Sequence, residues 1–320
     1  MRPKKLVSII VPVLNEEGNV ERLYEAVTRV MVDLEVRYDY ELIFTDNHSS
    51  DSTFAKIEQL AARDPRVSGF RFSKNFGFQR SILTGYMKTS GDAVIQIDAD
   101  LQDPPELIPE FIEKWEEGYD VVYGVRRSRQ EGWLIALARR TFYKLIDLLS
   151  EDDLPRDAGD FRLVSRRIVE LLGQVDDYHP YLRGLIASLG FEQLGIPYDR
   201  ARRTSGESKF SIPRLIGLAV DGILVHSVIP LRIATFVGLA MSLVMMLGIL
   251  GYGLSRLVFG VDWPAGFATT TVLLLLGITL NGLFLGIIGE YLGRLYQQAK
   301  KRPITIIERN TVGADPDAPG

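Results

Sequence analysis

Cysteine does not occur among the 320 residues, which excludes a disulfide scaffold, a thiolate zinc site, an iron–sulfur cluster and thiol catalysis. A basic excess is missing too. The formal net charge of −4 argues against a domain that binds nucleic acid by overall attraction, so no nucleic-acid partner is expected. No Gly-rich fingerprint follows the first apolar run and neither GxxxxGKS nor GxxxxGKT occurs, which removes dinucleotide dehydrogenases and P-loop NTPases from consideration. A small-residue cleavage site is lacking as well. The basic start at residues 1–5 leads into an apolar run, 6–14, that contains Ser8 and Pro12 and ends in Asn15-Glu16-Glu17, so it reads as a first strand and not as a signal peptide.

Hydrophobic residues make up 46% and charged residues 24%, proportions that support a buried core and exclude disorder as the general state. The apolar residues are unevenly spread. Residues 233–255 and 265–289 contain no Asp, Glu, Lys or Arg, and a helix of 23 residues at about 1.5 Å per residue crosses a hydrocarbon core of about 30 Å. The loop between them, 256–264, carries Trp263 and is too short for a domain. The pair therefore predicts a two-helix transmembrane hairpin, a multi-pass membrane protein with two spans. Arg202, Arg203 and Lys209 before it and Lys300, Lys301 and Arg302 after it predict a cytoplasmic catalytic domain and a cytoplasmic C-terminal tail. Two buried helices of a soluble core are the alternative, but such cores rarely need adjacent uncharged stretches of this length.

Residues 132–150 place Leu134, Leu137, Ala138, Phe142, Leu145, Leu148 and Leu149 at helical spacing, with Arg139, Arg140 and Lys144 among them. This pattern suits an amphipathic helix on an anionic membrane surface, although a core-packing helix has the same spacing. Residues 211–228 read as a second interfacial helix. The expected division is a catalytic domain at 1–210, that juxtamembrane helix, the hairpin at 229–293 and the tail at 294–320. Gly248, Gly251, Gly253, Gly277, Gly282, Gly286 and Gly289 allow close helix contacts, and with them a homo-oligomer.

The first 125 residues alternate β-branched runs at 6–11, 40–45, 67–72, 93–97 and 121–125 with helical patterns at 20–34, 52–63, 79–88 and 106–117. This predicts an α/β fold, Rossmann-like, with a mostly parallel sheet covered by helices on both faces. Ligands of such sheets bind at the carboxyl ends of the strands. Three of those ends deliver acids and amides: Asn15-Glu16-Glu17, Asp46-Asn47-His48 and Asp98-Ala99-Asp100-Leu101-Gln102-Asp103. Two Asp separated by one residue on an extended segment point to one side, and oxygen ligands suit Mg²⁺ or Mn²⁺ shared with substrate phosphates. Asp98 and Asp100 are the expected metal ligands. The same spacing also serves helix capping, and Asn15 with Glu16 and Glu17 reads equally as a cap with dipole-matching acids.

The strings Pro12 to Glu17, Asp46 to Asp51, Lys74-Asn75-Phe76-Gly77, Asp98 to Glu106, Gly159-Asp160-Phe161-Arg162 and Arg203 to Lys209 together resemble inverting GT-A family 2 glycosyltransferases of the polyprenyl-phosphate branch. Dolichyl-phosphate mannose synthases and, still more, bactoprenol glucosyltransferases are similar to this chain over nearly its whole length. The resemblance implies a GT-A catalytic domain in which Pro12, Leu14, Asn15 and Glu16 line the base, Asp46 contacts the nucleoside, Asp98 and Ala99 face the nucleotide and Asp100 holds the metal. Relatives commonly carry Asp-Gly where this chain has Asn47-His48. Asn47 retains hydrogen bonding to ribose or uracil but brings no charge; His48 is read as a loop residue.

The implied reaction moves a sugar, glucose from UDP-glucose as the first choice, from a nucleoside-diphosphate sugar to a polyprenyl phosphate lipid such as undecaprenyl phosphate. Arg126, Arg139 and Arg140 would receive the lipid phosphate, and Arg203 and Lys209 would close over the diphosphate, although that loop also reads as a juxtamembrane basic patch. Asp157 is the implied base, with Asp160 as its rival. A phosphate monoester with a second pKa near about 6 is largely dianionic at neutral pH, so an orienting role for Asp157 stays open. GDP-mannose or UDP-aminoarabinose are the alternative donors, and a non-catalytic membrane adaptor is the alternative class. The Gln-x-x-Arg-Trp string of processive polysaccharide synthases is absent.

Overall fold

The computed structural model describes residues 4–127, 158–175, 177, 180–199, 229–259 and 266–312. They divide into two units, one built on the sheet and including the segment from Arg302, the other containing two long helices.

The first unit is organised by β1 (Lys5–Val13), an apolar strand buried from Val7 onward because helices cover both faces. Its alternation sends Val7, Ile9, Val11 and Val13 into one core and Ile10 into another. The first core takes α1 (Val20–Val32), α2 (Thr53–Arg63) and α4 (Ile108–Glu116). In α1 the buried set Val20, Leu23, Val27 and Met31 has the three-and-four spacing of a helix that rests on a sheet. The second core takes α3 (Phe78–Met87), α5 (Arg166–Gln174) and α6 (Leu182–Ser188).

The remaining strands are β2 (Tyr38–Asp46), β3 (Val67–Phe72), β4 (Ala93–Gln96), β5 (Val121–Arg126), β6 (Ala158–Ser165), β7 (Gln193–Tyr198) and β8 (Ile307–Asn310), in the order β7-β5-β6-β4-β1-β2-β3-β8. Pairings β1·β2, β1·β4, β2·β3 and β5·β7 are parallel, whereas β4·β6, β5·β6 and β3·β8 are antiparallel. The sheet is therefore mixed, which corrects the expected mostly parallel sheet. The reason is topological: the chain leaves a slot between β4 and β5, and β6 fills it running in the opposite direction. Periodicity reveals strands but carries no record of their partners. Residues 307–310, inside the stretch read as a tail, form the edge strand β8.

The second unit contains α7 (Ile229–Phe259) and α8 (Phe267–Ala299). Among the described residues one helix has a long enough apolar window to cross a membrane, at Leu276–Gly293 of α8. This corrects the expectation of two spans and, with it, the two-span cytoplasmic localisation drawn from the sequence. Absence of charge was the criterion for both stretches, and it is met within both helices; among the described residues the window that satisfies length and apolarity together lies in α8. Gly238 of α7 lies against the ring of Phe284 in α8, where an added Cβ would stand 3.7 Å from Cε2.

Phe111 of α4 and Phe161 of β6 are both fully buried, with ring centroids 4.6 Å apart at 35°. This contact ties the inserted strand to the helix layer. Phe111→Ala is expected to destabilise the first unit by about 3–5 kcal/mol, read as a lowered urea midpoint with an unchanged slope.

Candidate active site

The ends of β1, β2, β4 and β5 fall on one rim because these strands share a direction, and the beginning of β6 joins them because it runs the other way. Ladder register makes this concrete. Arg162 of β6 lies opposite both Gln96 of β4 and Tyr123 of β5, so Asp98, Arg126 and Gly159 all stand just beyond the same level. With strands about 4.8 Å apart, the β4 and β5 ends are separated by about 10 Å.

At the β1 and β2 ends the backbone is cross-braced. Asn15, with φ of 56°, receives its fixed place from its own N–H to Ser49 Oγ (2.9 Å) and from Ser50 N–H to its Oδ1 (2.8 Å). Glu16 N–H donates to Thr53 Oγ1 at 2.8 Å. Pro12 is buried and Leu14 is exposed at the rim. Asp46 is completely enclosed: its Oδ1 accepts from the N–H of Ser49 (3.0 Å) and from the Ser49 hydroxyl, while its Oδ2 accepts from Arg71 Nη1 at 2.9 Å. Asn47, also buried, donates to Asn75 Oδ1 and accepts from Phe76 N–H. The string Lys74-Asn75-Phe76-Gly77 thus works as a brace for this loop. His48 has φ of 66°, the left-handed conformation glycine adopts freely, and its Nδ1 lies 2.9 Å from the Phe72 carbonyl oxygen.

At the β4 end, Asp98 and Asp100 are half-buried on either side of buried Ala99. Asp100 Oδ1 accepts from Gln102 N–H at 3.1 Å across Leu101, which has φ of 55°. No group of three or more His, Cys, Asp or Glu gathers as a metal site among the described residues. Two hard oxygen donors on one turn still suit Mg²⁺ or Mn²⁺, which commonly takes one or two carboxylates and completes its shell from substrate phosphate and water. Residues and cation fit on that basis.

The β5 end holds Arg126, largely enclosed. Its Nε donates to Tyr198 Oη at 3.4 Å and its Nη2 lies 3.8 Å from Asp103 Oδ1, which also accepts a hydrogen bond from the Tyr198 hydroxyl. Burial works against the charge of Arg126, but the Tyr198 bond and the Asp103 carboxylate outweigh it and raise its pKa. Burial and the adjacent Asp103 push the Tyr198 phenol up to about 12. Gly159 lies beside this group, and an added Cβ there would stand in ordinary contact, 3.7 Å from Arg126 Nη2.

On the opposite face of β6, Asp160 accepts from both Nε (2.8 Å) and Nη2 (2.5 Å) of Arg183 on α6. Burial favours the neutral acid, yet the Arg183 pair and the charges of Arg162 and Arg126 prevail and hold the Asp160 carboxyl below the usual carboxylate range. Arg162 is fully enclosed, gives Nη2 to the Gly159 carbonyl at 3.0 Å, and has its pKa lowered by that burial. Arg71, Arg162, Arg183 and Tyr198 entered no sequence-derived site, although Arg162 stands in the string Gly159-Asp160-Phe161-Arg162 that carries the resemblance. An arginine inside a short apolar strand is a signal, because a buried guanidinium must be paired. Tyr198 and Arg183 give no such signal.

Asp157, Arg139, Arg140, Arg203 and Lys209, and the helices expected at 132–150 and 211–228, lie outside the described residues.

An α/β sheet of this kind, with acids and anchored guanidinium groups on its carboxyl rim, has the fold of GT-A glycosyltransferases. The glycosyl transferase family 2 model matches residues 8–173, more than half of the chain. The chain belongs to that family. It is 39% identical over 304 residues to an uncharacterized glycosyltransferase, YkcC, of Bacillus subtilis (strain 168), covering 95% of this chain and 93% of the relative. It is 37% identical over 314 residues to the SfII prophage-derived bactoprenol glucosyl transferase of Shigella flexneri, covering 96% and 99%. A prophage bactoprenol glucosyl transferase homolog of Escherichia coli (strain K12) is 37% identical over 310 residues, covering 95% and 98%.

The depressed Asp160 pKa carries a sign. A carboxyl whose folded pKa lies below its unfolded value of about 4 contributes stability above that value and loses it as pH falls through the folded pKa. Asp160→Asn is therefore expected to cost about 2 kcal/mol at pH 7, with the gap from the native chain closing as the pH is taken below about 4. Urea midpoints at a series of pH values check it.

Proposed function

We propose that this enzyme transfers a hexose, glucose from UDP-glucose as the first choice, from a nucleoside diphosphate to a polyprenyl phosphate such as undecaprenyl phosphate, at a membrane surface. The observation that carries the reading is the shared rim. Half-buried Asp98 and Asp100 end β4, anchored Arg126 ends β5, and one strand lies between them. The bactoprenol glucosyl transferases similar over nearly the full chain support the donor and acceptor classes.

In this reading Pro12, Leu14, Asn15, Glu16 and Asn47 line the base and ribose, and enclosed Asp46 stiffens that edge through Ser49 and Arg71. Asp98 and Ala99 border the nucleotide. Asp100, with Asp98, would hold a Mg²⁺ or Mn²⁺ ion, which when bound neutralises charge on the departing diphosphate. An oxygen of the lipid phosphate attacks the anomeric carbon from the face opposite the diphosphate. The bond from that carbon to the diphosphate breaks, the nucleoside diphosphate leaves, and the configuration inverts.

Arg126, with Arg139 and Arg140, orients the acceptor phosphate, and Arg203 and Lys209 cover the diphosphate. Asp157 orients the acceptor or takes its proton when the monoanion binds. The bidentate pair with Arg183 favours Asp157 over Asp160 for this task, since an acid so held is a poor proton acceptor at neutral pH. The exposed apolar surface of α8 supports attachment to the bilayer that contains the acceptor.

A panel of UDP- and GDP-sugars offered with undecaprenyl phosphate, with lipid products identified by mass, tests the reading: a hexosyl-phosphoryl lipid is expected, and no lipid product from any donor rejects it. Asp100→Ala is expected to lower transfer at least about 100-fold with the protein still in the membrane fraction, and chelation of divalent ions should do the same to the native enzyme. Asp157→Asn should reduce kcat more than it raises the donor KM, as separate kinetic determinations of the two would reveal.

A further inference from the structure

Arg71 is the place where three segments of the chain meet. Its Nη1 is bonded to Asp46 Oδ2 (2.9 Å), its Nη2 to the Ser49 carbonyl (3.0 Å), and its Nε faces Glu308 Oε2 of β8 at 3.5 Å. All three guanidinium nitrogens are engaged. The first two partners belong to the loop read above as the nucleoside edge, and the third comes from the strand that follows α8 by seven residues.

Glu308 reaches this position through a local irregularity. Opposite β3, Arg71 pairs with Arg309 while the next residue, Phe72, pairs with Ile307, so Glu308 is the extra residue of a bulge. Bulges re-aim a side chain, and here the carboxylate arrives beside Arg71 and 3.7 Å from His48 Nδ1. The strand around it is firmly seated. Ser73 N–H donates to the Ile306 carbonyl, Gly69 N–H to Thr311 Oγ1, and the Thr84 and Thr305 hydroxyls share a hydrogen bond. Arg309 pairs with Glu58 and stacks over the Phe54 ring, the ring that Arg71 also covers. An ordinary sheet edge needs none of this convergence on one arginine.

We propose that Glu308 is a positioning residue for the donor: it fixes Arg71, and through Arg71 the Asp46–Ser49 loop, in the conformation that binds a nucleoside diphosphate. The strand after the apolar helix is thereby a working part of the donor edge. This rests on the reading of residues 12–16 and 46–47 as that edge. Glu308 is about half exposed, so its ion pair adds little to folding stability. Its effect belongs in binding.

The test uses the full chain in detergent or lipid nanodiscs, with UDP as the calorimetric probe and GDP beside it. Glu308→Ala is expected to raise the UDP dissociation constant and the donor KM roughly fivefold, with kcat within about twofold and the unfolding temperature unchanged. Glu308→Gln, which keeps an acceptor oxygen for Nε, should stay within about twofold of the native chain. An unaltered dissociation constant in the alanine variant overturns the proposal, as does a loss confined to kcat or one that accompanies a lowered unfolding temperature. Binding of neither UDP nor GDP by the native chain removes the donor-edge reading itself, an outcome distinct from a variant that binds as the native chain does.

Discussion

A strand that runs against its neighbours delivers its beginning, and not its end, to the rim where theirs finish. Insertion of β6 between β4 and β5 does this for Gly159 and Asp160. The β5·β6 register passes from Tyr123↔Arg162 to Val125↔Ala158, so β6 carries two extra residues there. The bulge lies where the strand meets the site, and the Arg162 guanidinium bonded to the Gly159 carbonyl secures it from beneath. Without this inserted strand the acid-rich turn after β4 and the arginine at the end of β5 would lie on neighbouring strands.

Enclosed carboxylates at or near the rim each have their own cation. Asp46 has Arg71, Asp103 has Arg126 with Tyr198, and Asp160 has Arg183. Pairs of this kind are poor sources of net stability, because desolvation offsets much of the attraction. Their value is rigidity. Dipoles and charges fixed before the substrates arrive need no reorganisation as charge moves from sugar to diphosphate. In the proposed reading the three enclosed acids serve as framework, while half-buried Asp98 and Asp100 have the exposure that ligand contact requires.

Much of the sheet was legible in the residues. The runs read as 67–72 and 121–125 became Val67–Phe72 and Val121–Arg126, because β-branched and aromatic residues bounded by turn formers leave few other options. The acids at the ends of β1, β2 and β4 were legible for the same reason: once the strands are placed, their ends follow. Pairing was not. Nothing in residues 158–165 records that they lie between β4 and β5, and nothing in residues 307–310 records that they complete the far edge. His48 shows a different limit. A residue without glycine's freedom occupies the left-handed conformation there, held by the Phe72 carbonyl, and local propensity alone does not reveal such compensation. Absence of charge in two long stretches predicted two spans, whereas among the described residues one helix meets the requirement.

Charge balance among the described residues at β4, β5 and β6 explains why the proposed chemistry calls for further cations. Arg126, Arg162 and Arg183 stand against Asp103 and Asp160, a surplus of one positive charge, and half-buried Asp98 and Asp100 reverse it to a deficit of one. A diphosphate donor and a phosphate acceptor would both meet a slightly negative surface. Arg126, already committed to Asp103 and Tyr198, fixes geometry better than it attracts charge. In the proposed reaction a divalent ion at the β4 turn and further guanidinium or ammonium groups would offset the charge of two anions bound side by side. That offset, more than any single contact, is the physical reason for assigning Arg139, Arg140, Arg203 and Lys209 to the phosphates in the proposal.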